Sequence, residues 1–372
     1  MQFSALHRMT TFDEVEAVVG RPPSIIMLKQ VSALDEGCRA ILALCPLAGF
    51  GHRDADGVSR TAFVGGAPGF VRVHSPTRIS FTLPDGEAHG PVSFVFLLPG
   101  IRETLRVNGS VARRKGTETF VDVQEAYVHC GQAVIRSRLW QPPAPTPPTP
   151  GVEGDGPLRG PGVADFLTAA PFLALSTWDD SGGGDTSPRG DRDVVARVLD
   201  ARTLVIPDRR GNRRADSLHN VLRDDRLSFA ALVPGRTDVL HVRGRGSITD
   251  DPALLETMAL RGTPPHAALL VDVDHAEVTA CAAVARSGVW TAATHLDRHA
   301  VPDLMALAGA HLAANMADAR RGPLARALKA VVGIPGIGRV LRPVVDRAYR
   351  SGLRKEGYED VEVGSRRGVR LG

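Results

Sequence analysis

Between Pro46 and Trp140, short apolar runs rich in Val, Ile and Phe alternate with breaks of Gly, Pro and Asp. The runs are Gly69–Val73, Arg78–Leu83, Val92–Leu98, Thr104–Val111 and Thr119–Val123. Segments this short and this evenly spaced predict strands of a barrel or sandwich. Ahead of them the pattern is helical over residues 10–45. Thr11 can cap a turn holding Asp13 and Glu14, and Val15, Val18 and Val19 share a face. A second helix is predicted from about Ser32 to Leu44, stopping near Pro46. Ala126–Trp140 reads as a short helix followed by an extended segment.

The strand pattern resumes near Val163 and closes near Trp290, and it is the same pattern. Leu97-Leu98-Pro99-Gly100-Ile101-Arg102-Glu103-Thr104-Leu105-Arg106-Val107-Asn108-Gly109 aligns with Leu232-Val233-Pro234-Gly235-Arg236-Thr237-Asp238-Val239-Leu240-His241-Val242-Arg243-Gly244. Val121-Asp122-Val123 then matches Val271-Asp272-Val273, and Arg136-Ser137-Arg138-Leu139-Trp140 matches Arg286-Ser287-Gly288-Val289-Trp290. Matches in one order through both halves mean a duplicated domain, and the period is too long for a solenoid. The second copy carries two segments that the first lacks. Arg209–Asp225 is polar and ends as a helix carrying Leu218, Val221 and Leu222. Asp250–Pro265 is mostly the helix Pro252–Arg261.

These patterns divide the chain into a first repeat (1–140), a linker (141–162), a second repeat (163–297) and a helical extension (298–372). Pro142-Pro143-Ala144-Pro145-Thr146-Pro147-Pro148-Thr149-Pro150 favours extended polyproline II, a semi-rigid spacer. The fold class expected is mainly β with α (α+β): two tandem barrels packed as an intramolecular pseudo-dimer, with a C-terminal helical extension.

Composition narrows the picture only slightly. Of the 372 residues, 43% are hydrophobic and 23% charged, as in ordinary soluble proteins. The chain shows neither a signal peptide's apolar core nor an apolar run of membrane-spanning length. Four scattered cysteines without a C-x-x-C pair favour a reducing, cytoplasmic setting and argue against a zinc knuckle. The net charge of +4 is unevenly placed, because Arg320 to Gly372 hold 13 Lys/Arg against 5 Asp/Glu. In this extension Leu324, Leu328, Val331 and Val332 accompany Arg326 and Lys329. Val340, Leu341, Val344 and Val345 accompany Arg339, Arg342 and Arg347. A helical cap on the barrels and a docking surface for an acidic partner or membrane both remain open. Interleaved aromatics are nearly absent, which disfavours nucleic acid.

Candidate chemistry concentrates in Arg209-Arg210-Gly211-Asn212-Arg213-Arg214, just ahead of a predicted helix. A helix N-terminus offers free N–H groups and the positive end of its dipole. Guanidinium forks add charge-assisted contacts to a dianion. The plain alternative is a solvated basic loop. His129-Cys130 is open to packing or chemistry; the thiol would react only if exposed and stabilised as thiolate. Gly333–Gly338 lacks the order of a dinucleotide fingerprint.

Four blocks together resemble the pyridoxamine 5'-phosphate oxidase-like FMN-binding split barrels. Two stand in the second repeat: Ser187-Pro188-Arg189-Gly190-Asp191, and Ile206-Pro207-Asp208 through Arg213-Arg214-Ala215-Asp216-Ser217-Leu218. Two stand best in the first: Glu103-Thr104-Leu105-Arg106-Val107-Asn108-Gly109, and Glu125-Ala126-Tyr127-Val128-His129-Cys130 through Ile135-Arg136-Ser137-Arg138-Leu139-Trp140. The resemblance covers roughly residues 10–140 and 163–295. It implies that Arg213 and Arg214 hold an FMN phosphate, with Asn212 and Ser217 beside them. Ser187, Arg189 and Ile206 would run along the ribityl chain and ring. Such barrels dimerise with FMN across the boundary, so Arg106, His129, Arg136, Arg138 and Trp140 of the first repeat would complete the site.

The two repeats depart from the family in complementary places. The first has Asp85-Gly86-Glu87-Ala88-His89-Gly90 instead of the arginine segment, and Ser59-Arg60-Thr61-Ala62-Phe63 instead of S-P-R-G-D. The second has Glu277-Val278-Thr279-Ala280-Cys281 for A-Y-x-H-C and Gly288 for the second Arg of R-S-R. One composite site is therefore expected to be intact and the other degenerate. The reading is an FMN-dependent oxidoreductase acting on a small molecule. A heme-binding split barrel, a flavin-binding or structural module without turnover, and two decayed copies remain as alternatives. Catalytic residues are not assigned, and no metal site is expected.

Overall fold

A computed structural model describes residues 6–84, 86–143, 145–146, 148–180, 183–192, 195–318 and 337–358. The tail positions Leu324, Arg326, Leu328, Lys329, Val331 and Val332, the segment Gly333–Gly336, and Asp85 lie outside the described residues.

Each repeat builds a seven-stranded antiparallel sheet. The first comprises β1 (Leu47–Arg53), β2 (Ser59–Gly65), β3 (Arg72–Ser75), β4 (Arg78–Thr82), β5 (His89–Leu97), β6 (Thr104–Lys115) and β7 (Glu118–His129). The second comprises β8 (Phe172–Trp178), β9 (Gly184–Gly190), β10 (Arg197–Val198), β11 (Thr203–Asp208), β12 (Arg226–Leu232), β13 (Asp238–Thr249) and β14 (Ala267–Ala280). The orders β3-β4-β7-β6-β5-β1-β2 and β10-β11-β14-β13-β12-β8-β9 match strand for strand. The chain is thus two tandem split β-barrels.

The repeated sequence signature has a structural cause. Both long hairpins carry a bulge, between Asn108 and Gly109 in one and Arg243 and Gly244 in the other. A Cβ on Gly109 would lie 2.2 Å from the Asp122 carbonyl oxygen, and one on Gly244 would lie 2.0 Å from that of Asp272. Only glycine permits this approach, so each Gly is retained with its Val-Asp-Val partner.

Helices follow local rules more closely than the predicted spans did. Thr11 caps α1 (Phe12–Val19) in a full capping box with Glu14. A short helix α2 (Ser24–Met27) follows, and Asp35 caps α3 (Glu36–Leu44), several residues later than Ser32. Ala126–Trp140 reverses its predicted order: β7 runs on to His129, and α4 (Gln132–Ser137) comes after it. β-branched and aromatic residues paired to β6 keep the chain extended there. In the second repeat come α5 (Val163–Ala169), α6 (Asp216–Arg223), α7 (Pro252–Glu256) and α8 (Ala282–Ser287). The added segments are thus α6 with its loop, and an α7 shorter than Pro252–Arg261.

The termini cross over between barrels. Met9 bridges to Ile248 on β13, and Val15 joins the core of the second repeat. Val31 then bridges to Ala126 on β7 of the first. Conversely α9 (Leu304–Asp318) places Leu304 and Ala308 in the core of the first repeat. The last helix, α10 (Ile337–Lys355), pairs Arg342 with Glu103 at 2.8 Å. Beyond it Tyr358 is fully buried against Ile135. This part of the basic extension caps its own barrels. Among the described residues, no helix is long and apolar enough to cross a membrane.

An apolar cluster joins the barrels, with Leu47, Phe63, Val134 and Leu139 meeting Phe172, Leu232, Val284 and Val289. At its edge Trp140 and Trp290, equivalent residues, lie 6.1 Å apart. Their indole N–H groups donate to equivalent carbonyls, of Ile101 at 2.7 Å and Arg236 at 2.6 Å. The repeats therefore pack about a pseudo-twofold axis within one chain.

Candidate functional site

A cleft of about 830 Å³, open in part to solvent, lies between the repeats. The first repeat lines it with Arg106 from β6, His129 and Cys130 from the end of β7, and Gln132, Ala133 and Arg136 from α4. The second contributes Ser187–Asp191 at the end of β9, Pro207 and Asp208 at the end of β11, and residues 211–217. Gly190 makes this junction possible. A Cβ there would lie 2.0 Å from the carbonyl oxygen of Ala133, so only glycine lets β9 abut α4.

The arginine loop is shaped by its own side chains. Asn212 Oδ1 accepts from the Arg214 amide at 3.0 Å, an Asx turn. Arg213 and Ala215 adopt left-handed backbone angles, φ 61° and 54°. The turn buries Arg214 and leaves Arg213 exposed. It delivers the chain into α6 with Ala215 at the N-cap, where no side chain accepts from the first turn. The Leu218 amide turns back to the Ala215 carbonyl oxygen at 2.9 Å, and no side chain caps those of Asp216 and Ser217.

Charge is dense and shared between repeats. Arg106 is almost fully buried and pairs with Asp185 of the other repeat. Its guanidinium stands 5.1 Å from the Tyr127 ring, and that of Arg214 stands 4.4 Å from the same ring. Two cations from opposite repeats therefore share one aromatic residue. Arg214 also meets Asp216 at 2.7 Å and Glu125 at 3.8 Å. Arg189 pairs with one oxygen of Asp208, and the other accepts from His266 Nε2 at 2.8 Å. Burial opposes ionisation of Asp208, but Arg189 and His266 outweigh it and hold its pKa down at about 2. Burial pushes His129 well below its ordinary value, and Arg106, Arg214 and Arg189 push the same way, so it is neutral. Burial raises the Tyr127 phenol to about 12. It also raises the Cys130 thiol, so that group is not a ready thiolate.

The acids satisfy only part of this constellation. Nε of Arg106, Arg136 and Arg189, Nη1 of Arg214, Nδ1 of His129 and Oγ of Ser217 are buried without a hydrogen-bond partner. Each belongs to a residue lining the cleft. Buried polar atoms are seldom left unpaired, and a cluster of them at one cavity points to a polar ligand.

Of the residues singled out from sequence, the cleft gathers Arg106, His129, Arg136, Ser187, Arg189, Asn212, Arg213, Arg214 and Ser217. Three others do not line it. Ile206 is in the core of the second repeat, because alternation along β11 turns it inward beside Pro207. Trp140 belongs to the pseudo-twofold tryptophan pair. Arg138 is the left-handed C-cap of α4 at φ 50°, the place Gly288 takes after α8 at φ 61°. Gly288 is therefore the residue best suited to that backbone, and its presence is no sign of a lost ligand. Sequence reasoning missed Asp185, Asp208, Tyr127 and Glu356. Asp185 stood two residues before Ser187, and Tyr127 within a quoted block, but nothing in the sequence placed either against an arginine of the other half.

Comparison with known proteins bears on the second repeat. Residues 161–280 match the family described as pyridoxamine 5'-phosphate oxidase. They form a pyridoxamine 5'-phosphate oxidase-like domain. The first repeat, with its identical strand order, is a second copy of that domain's fold. No curated protein matches the chain. Among solved structures, HupZ of Group A Streptococcus is 17% identical over 31% of this chain and 90% of its own, with TM-score 0.26. General Stress Protein 26 from Bacillus anthracis is 14% identical over 31% of this chain and 88% of its own, with TM-score 0.24. An F420 reductase is 13% identical over 30% of this chain and 94% of its own, with TM-score 0.25.

The opposite position of the paired repeats is built differently. His241 stands where Arg106 stands, and its Nδ1 is 2.9 Å from the Thr61 carbonyl oxygen. Glu277 replaces Tyr127, Thr279 replaces His129, and Arg60 replaces Asp185. The Cys281 thiol lies 3.7 Å from the Phe63 carbonyl oxygen. The described part of the first repeat's β4–β5 connection carries Glu87, 3.3 Å from His89 at the start of β5, in place of an arginine loop.

Proposed function

We propose that the cleft binds one FMN per chain and that the protein is a flavin-dependent oxidoreductase acting on a small molecule. One observation carries this reading: guanidinium, imidazole and hydroxyl groups from both repeats converge on one cleft with buried polar atoms unpaired. Arg214 and the uncapped start of α6 suit the phosphate, with Arg213 closing from outside. Ser187 and Ser217 suit the polyol chain. Arg106 and Arg189 favour negative charge on the ring system, and neutral His129 offers it one hydrogen bond. FMN supplies the electron-transfer chemistry when bound; the protein contributes position and electrostatics.

The test is the absorbance spectrum of the purified chain, followed by release and counting of the cofactor. The paired near-ultraviolet and blue bands of oxidised flavin, at one FMN per chain, are expected. Reduction by NAD(P)H, or photoreduction followed by reoxidation, then distinguishes an enzyme from a flavin-binding module. A single intense Soret band would replace this reading with a heme one. Two flavins per chain would refute the composite site.

A further inference from the structure

Beyond His129 the cleft adjoins a second, smaller chamber. His129, Cys130, Asn212 and Arg214 line both spaces. The far wall comes from outside the repeated barrels. Ile26 lies on α2 and Lys29 just after it, Met305 lies on α9, and Tyr349 lies on α10. The Gly131 amide donates to the Tyr349 hydroxyl at 3.2 Å and fixes that wall to the first repeat. The crossing termini therefore enclose a space that neither repeat forms alone.

Lys29 sets the chemistry of this space. Each cleft arginine that is buried has a carboxylate: Arg106 has Asp185, Arg136 has Glu356, and Arg214 has Asp216. Lys29 is partly buried, and no carboxylate among the described residues holds it. Burial lowers its pKa, and only the neighbouring Cys130 acts in the other direction. A desolvated ammonium without a counter-charge is costly, and a bound anion offsets that cost. Beside it, Ile26 and Met305 present apolar surface.

We infer that this chamber is the substrate subsite of the flavin cleft and selects a small carboxylate with an apolar body, its charge at Lys29 and its body against Ile26 and Met305. The inference rests on the flavin reading for its role but not for its chemistry, so the two can be tested apart. Benzoate and hexanoate, with benzamide as the neutral control, are titrated calorimetrically into the purified full-length chain. One carboxylate per chain is expected, with benzamide weaker by roughly tenfold or more. Lys29→Gln should lower carboxylate affinity by a similar factor, Lys29→Arg should keep most of it, and Met305→Trp should block it by filling the space. FMN affinity, read separately by flavin fluorescence, should stay at the wild-type value in all three. Equal binding of benzamide and benzoate, unaltered binding in Lys29→Gln, or no carboxylate binding at millimolar concentration would overturn the proposal. Carboxylate binding through Lys29 in a chain that takes up no FMN would sink the flavin reading and support the anion chamber.

Discussion

Gly51 and Ser176 are equivalent residues of the two repeats, and they face each other so closely that a Cβ on Gly51 would lie 2.3 Å from Ser176 Oγ. The same asymmetry recurs at Gly49, whose Cβ would lie 2.7 Å from that of Ala174, again its equivalent. Around them the hydroxyls remain symmetric: Thr61 meets Ser228 at 2.7 Å, and Thr186 meets Ser93 at 2.6 Å. The barrels thus fit as a pair of unlike halves. Two copies of the second would set Ser176 against Ser176 and Ala174 against Ala174.

Gly51→Ser should therefore overpack the interface and destabilise the chain by about 1–3 kcal/mol. Moving the side chain, as Gly51→Ser with Ser176→Gly, should recover most of that loss. Urea unfolding of both variants checks this through the coupling between the sites. Additive losses would mean that the two positions do not share one space.

The duplication, the strand content and the arginine loop were legible in the sequence because each rests on local spacing. The bulge glycines and the Trp pair left matched residues at fixed offsets. What spacing cannot show is which way a matched residue faces. Trp140 and Arg138 lie in a recognisable block, yet one serves the pseudo-twofold contact and the other a helix C-cap. Glu356 and Lys29 carried no motif at all; the crossing termini alone bring them to the site. Arg138 gives this a test. Because its φ of 50° suits glycine, Arg138→Gly should hold or raise stability by up to about 1 kcal/mol and leave FMN affinity unchanged. Loss of flavin in this variant would restore Arg138 to the site.

Arg214 and Arg213 should separate in a flavin titration. Arg214 is buried against Tyr127 and Asp216, whereas Arg213 is exposed. Arg214→Ala removes charge-assisted contacts of roughly 1.5–3 kcal/mol, weakening FMN about tenfold to a hundredfold. Arg213→Ala should cost less, since its contact is made in water. A thermal scan of each variant separates lost binding from lost fold. Greater sensitivity at Arg213 would reverse the assignment of the buried phosphate contact.

Stability should begin to fall at a mildly acidic pH. Burial lowers His129 well below the usual value and lowers His52 to about 4. In the unfolded chain both titrate near about 6.5. Below that pH the unfolded state takes up protons that the folded state refuses, so stability drops as pH falls from 6.5 towards the folded values. Above it these groups contribute no slope. For His52 alone the loss at pH 5 is about 2 kcal/mol. The depressed carboxylates Asp208 and Asp224, both at about 2, add their losses only below the unfolded carboxylate range. Urea midpoints between pH 7 and 5 should decline in the wild type and decline less steeply in His52→Gln, where His129 still contributes its share. A flat wild-type profile would show that His52 is not held neutral.

Glu356 competes with any anion in the cleft for Arg136. Its two oxygens stand 2.8 and 2.7 Å from the same guanidinium nitrogen, in a buried pair reached only because the C-terminal helix lies across α4. Burial raises the Glu356 pKa, and Arg136 draws it back down, so the pair balances desolvation against attraction. Glu356→Gln keeps one hydrogen bond and removes the negative charge. An anionic cofactor beside Arg136 then gains about 1 kcal/mol, or roughly fivefold in affinity. Arg136→Ala should act in the opposite direction, leaving Glu356 unpaired and lowering both stability and FMN affinity. Arg286→Ala, at the equivalent place after the other barrel, should leave FMN affinity unchanged. Fluorescence titration of the three variants reads all of this at once. Weaker binding in Glu356→Gln would show that the carboxylate holds Arg136 in position for the cofactor and does not compete with it.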